Sequence, residues 1–255
     1  MNEWVRRRAL DLMSQGKMVG VVGGDHSTPL GLIQALCEHH SSFSILQIDA
    51  HCDLRNAYEG FRYSHASVMY NALHQKPLTN LVQVGVRDLC EEEYRFIENS
   101  ANRVTCFHQE YLNTEKYMGR SWKSLCDVIV SHLGEKVYIS FDIDGLEPHY
   151  CPHTGTPVPG GLSFGEAVYL IRRVVESGRT IIGFDLNEVV PSEDEWDANV
   201  GARVLYELCA WTGISLERKP RDSKTEDTPE STTPTTNSKR KAASKASRKS
   251  SNLSA

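Results

Sequence analysis

The sequence predicts an α/β protein in which a mostly parallel β-sheet carries helices on both faces. Short apolar runs rich in β-branched residues alternate with longer stretches of helical periodicity, and several of the runs end in acidic or histidine residues. The strand-like runs are Met18–Val22, Phe43–Ile48, Leu81–Val86, Val104–Phe107, Val137–Phe141 and Thr180–Leu186. The helix-like stretches are Pro29–His40, Ser64–His74, Glu91–Ser100, Gly165–Glu176 and Asp197–Trp211.

Composition divides the 255 residues into a folded domain over residues 1–217 and a basic tail over residues 218–255. The tail is rich in Ser and Lys and has few apolar residues, so we expect it to be disordered. It carries ten basic and four acidic residues and is net +6, which leaves −11 on the remainder of a chain whose net charge is −5. A nuclear-import or nucleic-acid contact of this tail is one interpretation, and we favour a solubilising tail without a partner.

Other features of the sequence favour a reducing, cytoplasmic location. The chain has seven cysteines, an odd number, and none are in CxxC spacing, which is typical of free thiols. No apolar run approaches the ~20 residues needed to span a membrane, and Met1–Leu10 lacks the apolar centre of a secretory signal.

Three separated clusters of acidic and histidine residues predict a two-metal hydrolytic site. They read GGDHS at Gly23–Ser27, DAHCD at Asp49–Asp53 and SFDID at Ser140–Asp144, and each follows an apolar run. If DAHCD is extended, alternation puts its two Asp and one His on one side and leaves Cys52 pointing away as a packing residue. The six expected ligands are His26, Asp49, His51, Asp53, Asp142 and Asp144.

Carboxylates and imidazoles suit Mn²⁺ or a similar divalent ion, including Ni²⁺, better than structural zinc. Carboxylates able to bridge would hold two ions about 3.5–4 Å apart around one shared water. Each cluster alone also has an ordinary interpretation, as a capped turn or a solvated loop. Together they are hard to explain without cations, because clustered carboxylates at strand ends repel one another.

These motifs resemble those of the ureohydrolase family, the arginases and agmatinases, over about Met18–Leu208. The family pattern is GGDHS, DAHxD and SxDxDxxDP, and the last reads SFDIDGLEP here, with Glu147 in place of an Asp that is not a ligand. TGTPVPGGL at Thr154–Leu162, GFDLNEVVP and NLVQVGVRD also resemble family segments. The resemblance implies a three-layer arginase-like fold, a trimer or hexamer, and hydrolysis of a small guanidino compound to urea and an amine by a metal-bridging hydroxide.

The resemblance also implies roles for individual residues. His26, Asp49, Asp53 and Asp142 would hold one metal, and His51 and Asp144 would complete the second, with Asp49 and Asp142 bridging. Asp53 is expected among the catalytic residues as well. We expect Glu188 to orient the planar guanidinium, since a carboxylate accepts two parallel N–H bonds. We expect His65, in YSHAS, to deliver a proton to the leaving amine.

Substrate choice depends on Arg55, which occupies the position where arginases of the family carry an Asn that reads the amino-acid end of arginine. A cation there repels an α-ammonium group, and it could instead attract a carboxylate or pair with Glu59. We therefore expect Arg55 to contribute to substrate binding and arginine to be a poor substrate. Agmatine, guanidinobutyrate, guanidinopropionate and free guanidine remain open. His149 and His153 could line the mouth of the site, and we interpret them as ordinary surface residues.

Two further expectations concern the chain ends and the alternative functions. Family members usually carry a longer segment before GGDHS, so we expect N-terminal edge strands to be missing and Met18–Val22 to be exposed. A metal-dependent deacetylase, which resembles the same sheet architecture, is one alternative. It normally holds one zinc, and His26 with the final Asp of two motifs argues for a second site. A catalytically silent scaffold is the other alternative, and the intact ligand set argues against it.

Overall fold

The computed structural model describes residues 1–218, so nearly all of the predicted tail lies outside the described residues. The sheet has six strands: β1 (Gly20–Val22), β2 (Phe43–Ile48), β3 (Leu78–Val84), β4 (Val104–Phe107), β5 (Lys136–Asp142) and β6 (Thr180–Asn187). Their order across the sheet is β1-β6-β5-β2-β3-β4, and every neighbouring pair is parallel. The predicted strands are confirmed, although β3 begins and ends earlier than its apolar run suggested.

The helices are α1 (Asn2–Ser14), α2 (Leu30–His39), α3 (Val68–Leu73), α4 (Glu91–Glu98), α5 (Gln109–Tyr117), α6 (Trp122–Ser131), α7 (Phe164–Glu176) and α8 (Trp196–Glu217). The start of α7 is fixed by a capping box between Ser163 and Glu166. The helices α1, α5 and α6 were not predicted. Polar residues dominate α1 and α5, which bury only two residues each, so their apolar periodicity is weak.

Two hydrophobic clusters, one on each face of the sheet, form the core. Alternation along β5 sends Val137, Ile139 and Phe141 into the cluster that includes α6, α7 and α8, and sends Tyr138 into the cluster that includes α1, α2 and α3. Since β2, β5 and β6 are buried on both faces, their sequences are nearly continuous apolar runs. The predicted arrangement, with helices on both faces of a parallel sheet, is confirmed.

The order of the strands gathers the sequence motifs at one place. The strands β1, β6, β5 and β2 are consecutive neighbours. Three of them, β1, β5 and β2, lead into the acidic and histidine segments, and β6 leads into Glu188. Because the strands are parallel, their carboxyl ends share one edge of the sheet. At the lateral edge, β1 is short and the side chain of Val22 is 61% exposed. Among residues 1–218, no helix is both long enough and apolar enough to cross a membrane.

Candidate active site

A first cluster forms around the imidazole of His26, which follows β1. Its Nδ1 atom lies 3.1 Å from Oδ2 of Asp49, 3.0 Å from Oδ2 of Asp53 and 3.2 Å from Oδ2 of Asp142. All four side chains are buried. Three strand ends therefore bring one nitrogen and three carboxylate oxygens to a single point, as the sequence predicted.

The ring of His26 is oriented from its other side. Its Nε2 lies 2.8 Å from Oγ of Ser140, which in turn donates to Oδ1 of Asp185 at 3.0 Å. These two hydrogen bonds favour a hydrogen on Nε2 of His26, which leaves the lone pair of Nδ1 facing the carboxylates. Neither Nδ1 of His26 nor Oδ2 of Asp53 has a hydrogen-bond partner among the described residues.

This donor set fits a cation. A single N–H at Nδ1 of His26 could serve only one of the three oxygens around it, and a lone pair there would face three oxygen lone pairs. A positive ion between them would satisfy all four atoms at once, and buried charges are ordinarily paired or bound to metals. The grouping of buried His26, Asp49 and Asp53 is compatible with ligands of one metal ion.

A second cluster adjoins the first through Asp49. Nδ1 of His51 lies 3.1 Å from Oδ2 of Asp144 and 3.5 Å from Oδ1 of Asp49. Asp49 thus presents one oxygen to each cluster. Asp142 differs, because its Oδ1 accepts the backbone N–H of Asp144 at 2.9 Å and only Oδ2 faces His26. The expectation that Asp142 also bridges two ions stays a prediction.

The electrostatics show an excess of buried negative charge. Burial and the nearby Asp49 carboxylate raise the pKa of Asp53 to about 7. Burial, followed by Asp144 and Asp49, raises the pKa of Asp142 well above its usual range. Burial opposes protonation of His51, but hydrogen bonds with Asp144 and Asp49 outweigh it and raise the pKa of His51 to about 11. The protein alone therefore holds protons here, and a divalent cation would replace them.

The backbone of DAHCD differs from the extended segment that the sequence suggested. The strand β2 ends at Ile48, and Asp53 has a φ of 54°, in the left-handed region. A turn, rather than strand alternation, directs Asp53 to His26, and Asp tolerates this region better than most residues. Cys52 is fully buried in the core, so its interpretation as a packing residue is confirmed.

A glycine allows the two acidic segments to approach each other. A Cβ atom on Gly145 would lie 2.7 Å from the backbone nitrogen of Asp49, closer than real contacts allow. The neighbouring Asp144 accepts the backbone N–H of Ala50 at 3.0 Å through Oδ1. Arg87 supports the same segment, because its Nη2 donates to the carbonyl oxygen of Asp144 at 2.7 Å.

Glu188 lies directly after β6 and beside the first cluster. Its Oε1 accepts the backbone N–H of His26 at 2.8 Å, and its own N–H donates to the carbonyl of Gly24 at 2.8 Å. Burial raises its pKa, and the His26 N–H and the charge of nearby His65 oppose that shift. Glu188 is therefore a half-buried carboxylate next to the metal-binding residues, not an exposed strand end.

His65 opens a short 3₁₀ helix, His65–Ser67, on the loop after DAHCD. Its ring contacts Tyr58 edge-to-face at 5.6 Å between centroids, and Oγ of Ser64 lies 3.5 Å from Nδ1.

Arg55 has a different partner from the predicted one. Its Nε lies 3.9 Å from Oε2 of Glu93, and its guanidinium lies 5.1 Å from the centre of the Tyr58 ring. Pairing with Glu59, one of the alternatives for Arg55, is not observed, and Glu59 lies exposed in the turn between Tyr58 and Phe61. The carboxylate of Glu93 is held in place because its two oxygens accept hydrogen bonds from the backbone N–H groups of Leu54 and Cys90. Arg55 and His65 contact the same Tyr58 ring, and among the described residues the ion pair of Arg55 is with Glu93 rather than with a proposed metal ligand.

Sequence reasoning missed the polar residues that form hydrogen bonds with, or next to, the proposed metal ligands. Ser140 and Asp185 are polar positions inside buried strands, and that contrast with their apolar neighbours was the available signal. Thr156 donates through Oγ1 to Oδ2 of Asp144 at 3.4 Å. His153 is exposed, as expected for a surface residue, but its ring and backbone N–H also contact the buried Asp197, which the sequence did not predict. His149 is 63% exposed at its side chain, as expected.

The parallel sheet and the clusters at its carboxyl edge define a protein with candidate metal-binding groups of acidic and histidine residues. A sequence profile of the Arginase family matches residues 1–210. The chain therefore belongs to the arginase family, and its predicted membership of the arginases and agmatinases is confirmed.

Similar proteins support this assignment. The N(1)-aminopropylagmatine ureohydrolase of Thermus thermophilus is 34% identical over 210 residues, covering 82% of this chain and 68% of the relative. The mitochondrial agmatinase of Gallus gallus is 31% identical over 218 residues, covering 82% of this chain and 62% of the relative. The chain thus spans about two thirds of the length of these relatives.

Solved structures show the same fold. Proclavaminate amidinohydrolase from Streptomyces clavuligerus superimposes with a TM-score of 0.73 at 25% identity, covering 84% of this chain and 70% of that one. Agmatine ureohydrolase of Thermoplasma volcanium gives a TM-score of 0.70 at 28% identity, covering 84% and 69%. The predicted three-layer arginase-like fold is confirmed.

Proposed function

We propose that this protein hydrolyses a linear, agmatine-like guanidino compound to urea and an amine with two divalent metal ions. The observation that carries the proposal is the position of His26 Nδ1, which lies within 3.2 Å of three carboxylate oxygens. A second such group, around His51 and Asp144, shares Asp49. Two adjoining sites that share a carboxylate are typical of enzymes that activate one water between two ions.

The proposed ligands divide into two sets. His26, Asp49, Asp53 and Asp142 hold one ion, and His51 and Asp144 complete the second site with Asp49 and Asp142. Oxygen and imidazole donors favour Mn²⁺, with Ni²⁺ as the other ion to test. When bound, the two ions would supply a water molecule that loses its proton near neutral pH and can attack a guanidinium carbon. Ser140 and Gln47 assist by fixing the ligand orientations, since they bond to His26 and Asp49.

Glu188 orients the substrate in this proposal. A guanidinium is a planar cation whose charge is spread over three nitrogens, so its carbon is a poor electrophile and must be held accurately. Oε1 of Glu188 is already fixed by the N–H of His26, and both carboxylate oxygens can accept parallel N–H bonds from the substrate. The half-buried position strengthens this ion pair relative to one in water.

His65 and Asp53 handle protons. His65 is proposed to protonate the leaving amine, because it lies on the loop that follows the DAHCD ligands and a histidine can exchange protons with solvent near neutral pH. Asp53 is proposed as both a ligand and a catalytic carboxylate. Its Oδ2 has no hydrogen-bond partner among the described residues, which leaves that oxygen for a water or an ion.

The proposed substrate is agmatine or a related guanidino compound rather than arginine. The relatives named above act, by their names, on agmatine, aminopropylagmatine and proclavaminate. Arg55 adds a positive charge near His65 through their shared contact with Tyr58, and this charge disfavours an α-ammonium group. We further propose a homo-oligomer, trimeric or hexameric, that works in the cytoplasm.

The test is urea release by the full chain loaded with Mn²⁺ or Ni²⁺. The panel contains agmatine, guanidinobutyrate, guanidinopropionate, guanidine and arginine, together with an acetyl-lysine peptide for the deacetylase alternative. We expect urea from an agmatine-like compound and none from Asp142→Asn, which changes a proposed ligand at similar volume. Release of acetate without urea would favour the deacetylase, and no product with either metal would favour a silent scaffold.

A further inference from the structure

Both carboxylate oxygens of Asp197, in the first turn of α8, contact His153, which lies on the loop between β5 and α7. Its Oδ2 accepts the backbone N–H of His153 at 3.0 Å, and its Oδ1 lies 2.9 Å from Nδ1 of the same residue. Asp197 is fully buried. A buried carboxylate is costly unless it is paired. We therefore expect this double contact to hold both the ring and the backbone of His153 in place.

The next residue transmits this constraint to Glu188. Thr154 is only 5% exposed, and its Oγ1 donates to the carbonyl oxygen of Glu188 at 2.8 Å. Glu188 has a φ of 62°, a left-handed conformation that a residue with a side chain keeps only when its surroundings require it. Its N–H is held by Gly24 and its carbonyl by Thr154, so the peptide groups on both sides of its Cα are fixed.

The helix α8, which carries Asp197, contacts both the loop that contains His153 and the segment that follows Glu188. Nε1 of Trp196 donates to the carbonyl of His149 at 2.9 Å. Farther along, a Cβ on Gly201 would lie 2.9 Å from Cγ1 of Val189, so α8 passes close against the residue after Glu188. These contacts hold the start of α8 in place, so that Asp197 can fix the position of the loop that contains His153.

We propose that His153 and Asp197 form a positioning pair that holds Glu188 in the orientation needed to bind a guanidinium cation. The inference rests on the proposed function and deepens it. Among the described residues, the pair forms no hydrogen bond with the six proposed metal ligands, and we infer that it acts through Thr154 and the backbone of Glu188. Substrate affinity should therefore depend on it, whereas metal content should not.

The central comparison uses two variants of His153 in the full, metal-loaded chain. His153→Ala removes the ring donor and keeps the backbone N–H. His153→Asn keeps a donor, because its Nδ2 occupies the place of the histidine Nδ1. We expect His153→Ala to raise KM for the best guanidino substrate about tenfold, the size of a lost hydrogen bond to a charged group, with a much smaller change in kcat. His153→Asn should stay near the wild type, and His149→Ala, an exposed neighbour on the same loop, should be unchanged.

Binding of guanidinium ion, measured by calorimetry at millimolar concentration, supplies a readout apart from turnover. Weaker guanidinium binding in His153→Ala, with unchanged metal content and recovery in His153→Asn, supports the positioning pair. Unchanged KM and guanidinium affinity in His153→Ala would overturn it, and so would equal losses in the Ala and Asn variants. If the wild type released no urea from any compound, the proposed function would fail, and the guanidinium measurement would still test the pair.

Discussion

The Nδ1 atom of His26 lies 3.0 Å from Oδ2 of Asp53, and neither atom has a hydrogen-bond partner among the described residues. Two buried polar atoms at this distance without a shared proton are unfavourable unless a cation lies beside them. The fixed Nε2 side of the ring, bonded to Ser140, explains why the imidazole does not turn away. This relationship supports a cation in the first cluster, which is one half of the two-metal site that the proposed function requires.

The metal content of His26→Ala provides a first prediction. We expect the wild type to bind two divalent ions per chain and His26→Ala to bind fewer, because the first cluster loses its only nitrogen donor. Bound metal should also stabilise the fold by about 3 kcal/mol per site when the free ion exceeds its Kd about 100-fold. Elemental analysis and thermal unfolding measure both effects. One ion in the wild type, unchanged in His26→Ala, would contradict the two-site arrangement.

The role of His65 gives a second prediction. His65→Ala should retain both metals, since His65 contacts Tyr58 and Ser64 rather than the ligands, and should slow turnover by roughly 10²–10⁴-fold, the usual contribution of general acid–base catalysis. Steady-state kinetics and metal analysis on the same sample provide the measurement. His74→Ala, at an exposed histidine, is the control. Loss of metal in His65→Ala would show that the proton-transfer assignment is wrong.

Arg55 provides a third prediction, about specificity. Arg55→Asn should change the ratio of kcat/KM between carboxylated and uncarboxylated guanidino compounds by about 5- to 150-fold, the range of a single charge contact of about 1–3 kcal/mol. The matched control is Arg62→Asn, an exposed arginine that lies over Tyr63 on the same loop. A constant ratio would mean that Arg55 serves only to bind Glu93. Efficient arginine hydrolysis by the wild type would contradict the proposed substrate class.

The His153–Asp197 pair gives a fourth prediction, about pH. The hydrogen bond with Asp197 raises the pKa of His153 above its usual value of 6.5, and the charges of Asp197 and Asp194 act in the same direction. Because the folded-state pKa is the higher one, the stabilisation is fully present below pH 6.5 and is lost as pH rises through the raised pKa. The stability advantage of the wild type over His153→Asn should therefore shrink with rising pH. Thermal unfolding of both proteins across this window measures it, and a constant difference would contradict the protonated pair.

The sequence was sufficient for the parts of the site that depend on strand ends. Asp49, Asp142 and Asp144 follow or end the buried strands β2 and β5, and His26 follows the edge strand β1. Parallel strands bring such positions to one edge of the sheet. Asp53 lies beside His26, but a left-handed turn rather than strand alternation directs it there. Turns of this kind depend on tertiary contacts that periodicity does not report.

Long-range partners were not predictable from the sequence. The pairing of Arg55 with Glu93 depends on how α4 is placed, and Glu59 was only the nearest acidic residue along the chain. His153 and Asp197 are separated by two secondary-structure elements, α7 and β6, so nothing local indicated their contact. The helices α1 and α5 were missed because their exposed faces carry most of their residues.

The most direct test of the central claim is a crystal structure of the chain grown with Mn²⁺ and measured for anomalous scattering. We predict two peaks about 3.5–4 Å apart. One should lie among His26, Asp49 and Asp53, and the other should lie beside His51 and Asp144. A single peak, or peaks elsewhere on the surface with these side chains left as they are, would contradict the two-metal site and the mechanism proposed from it.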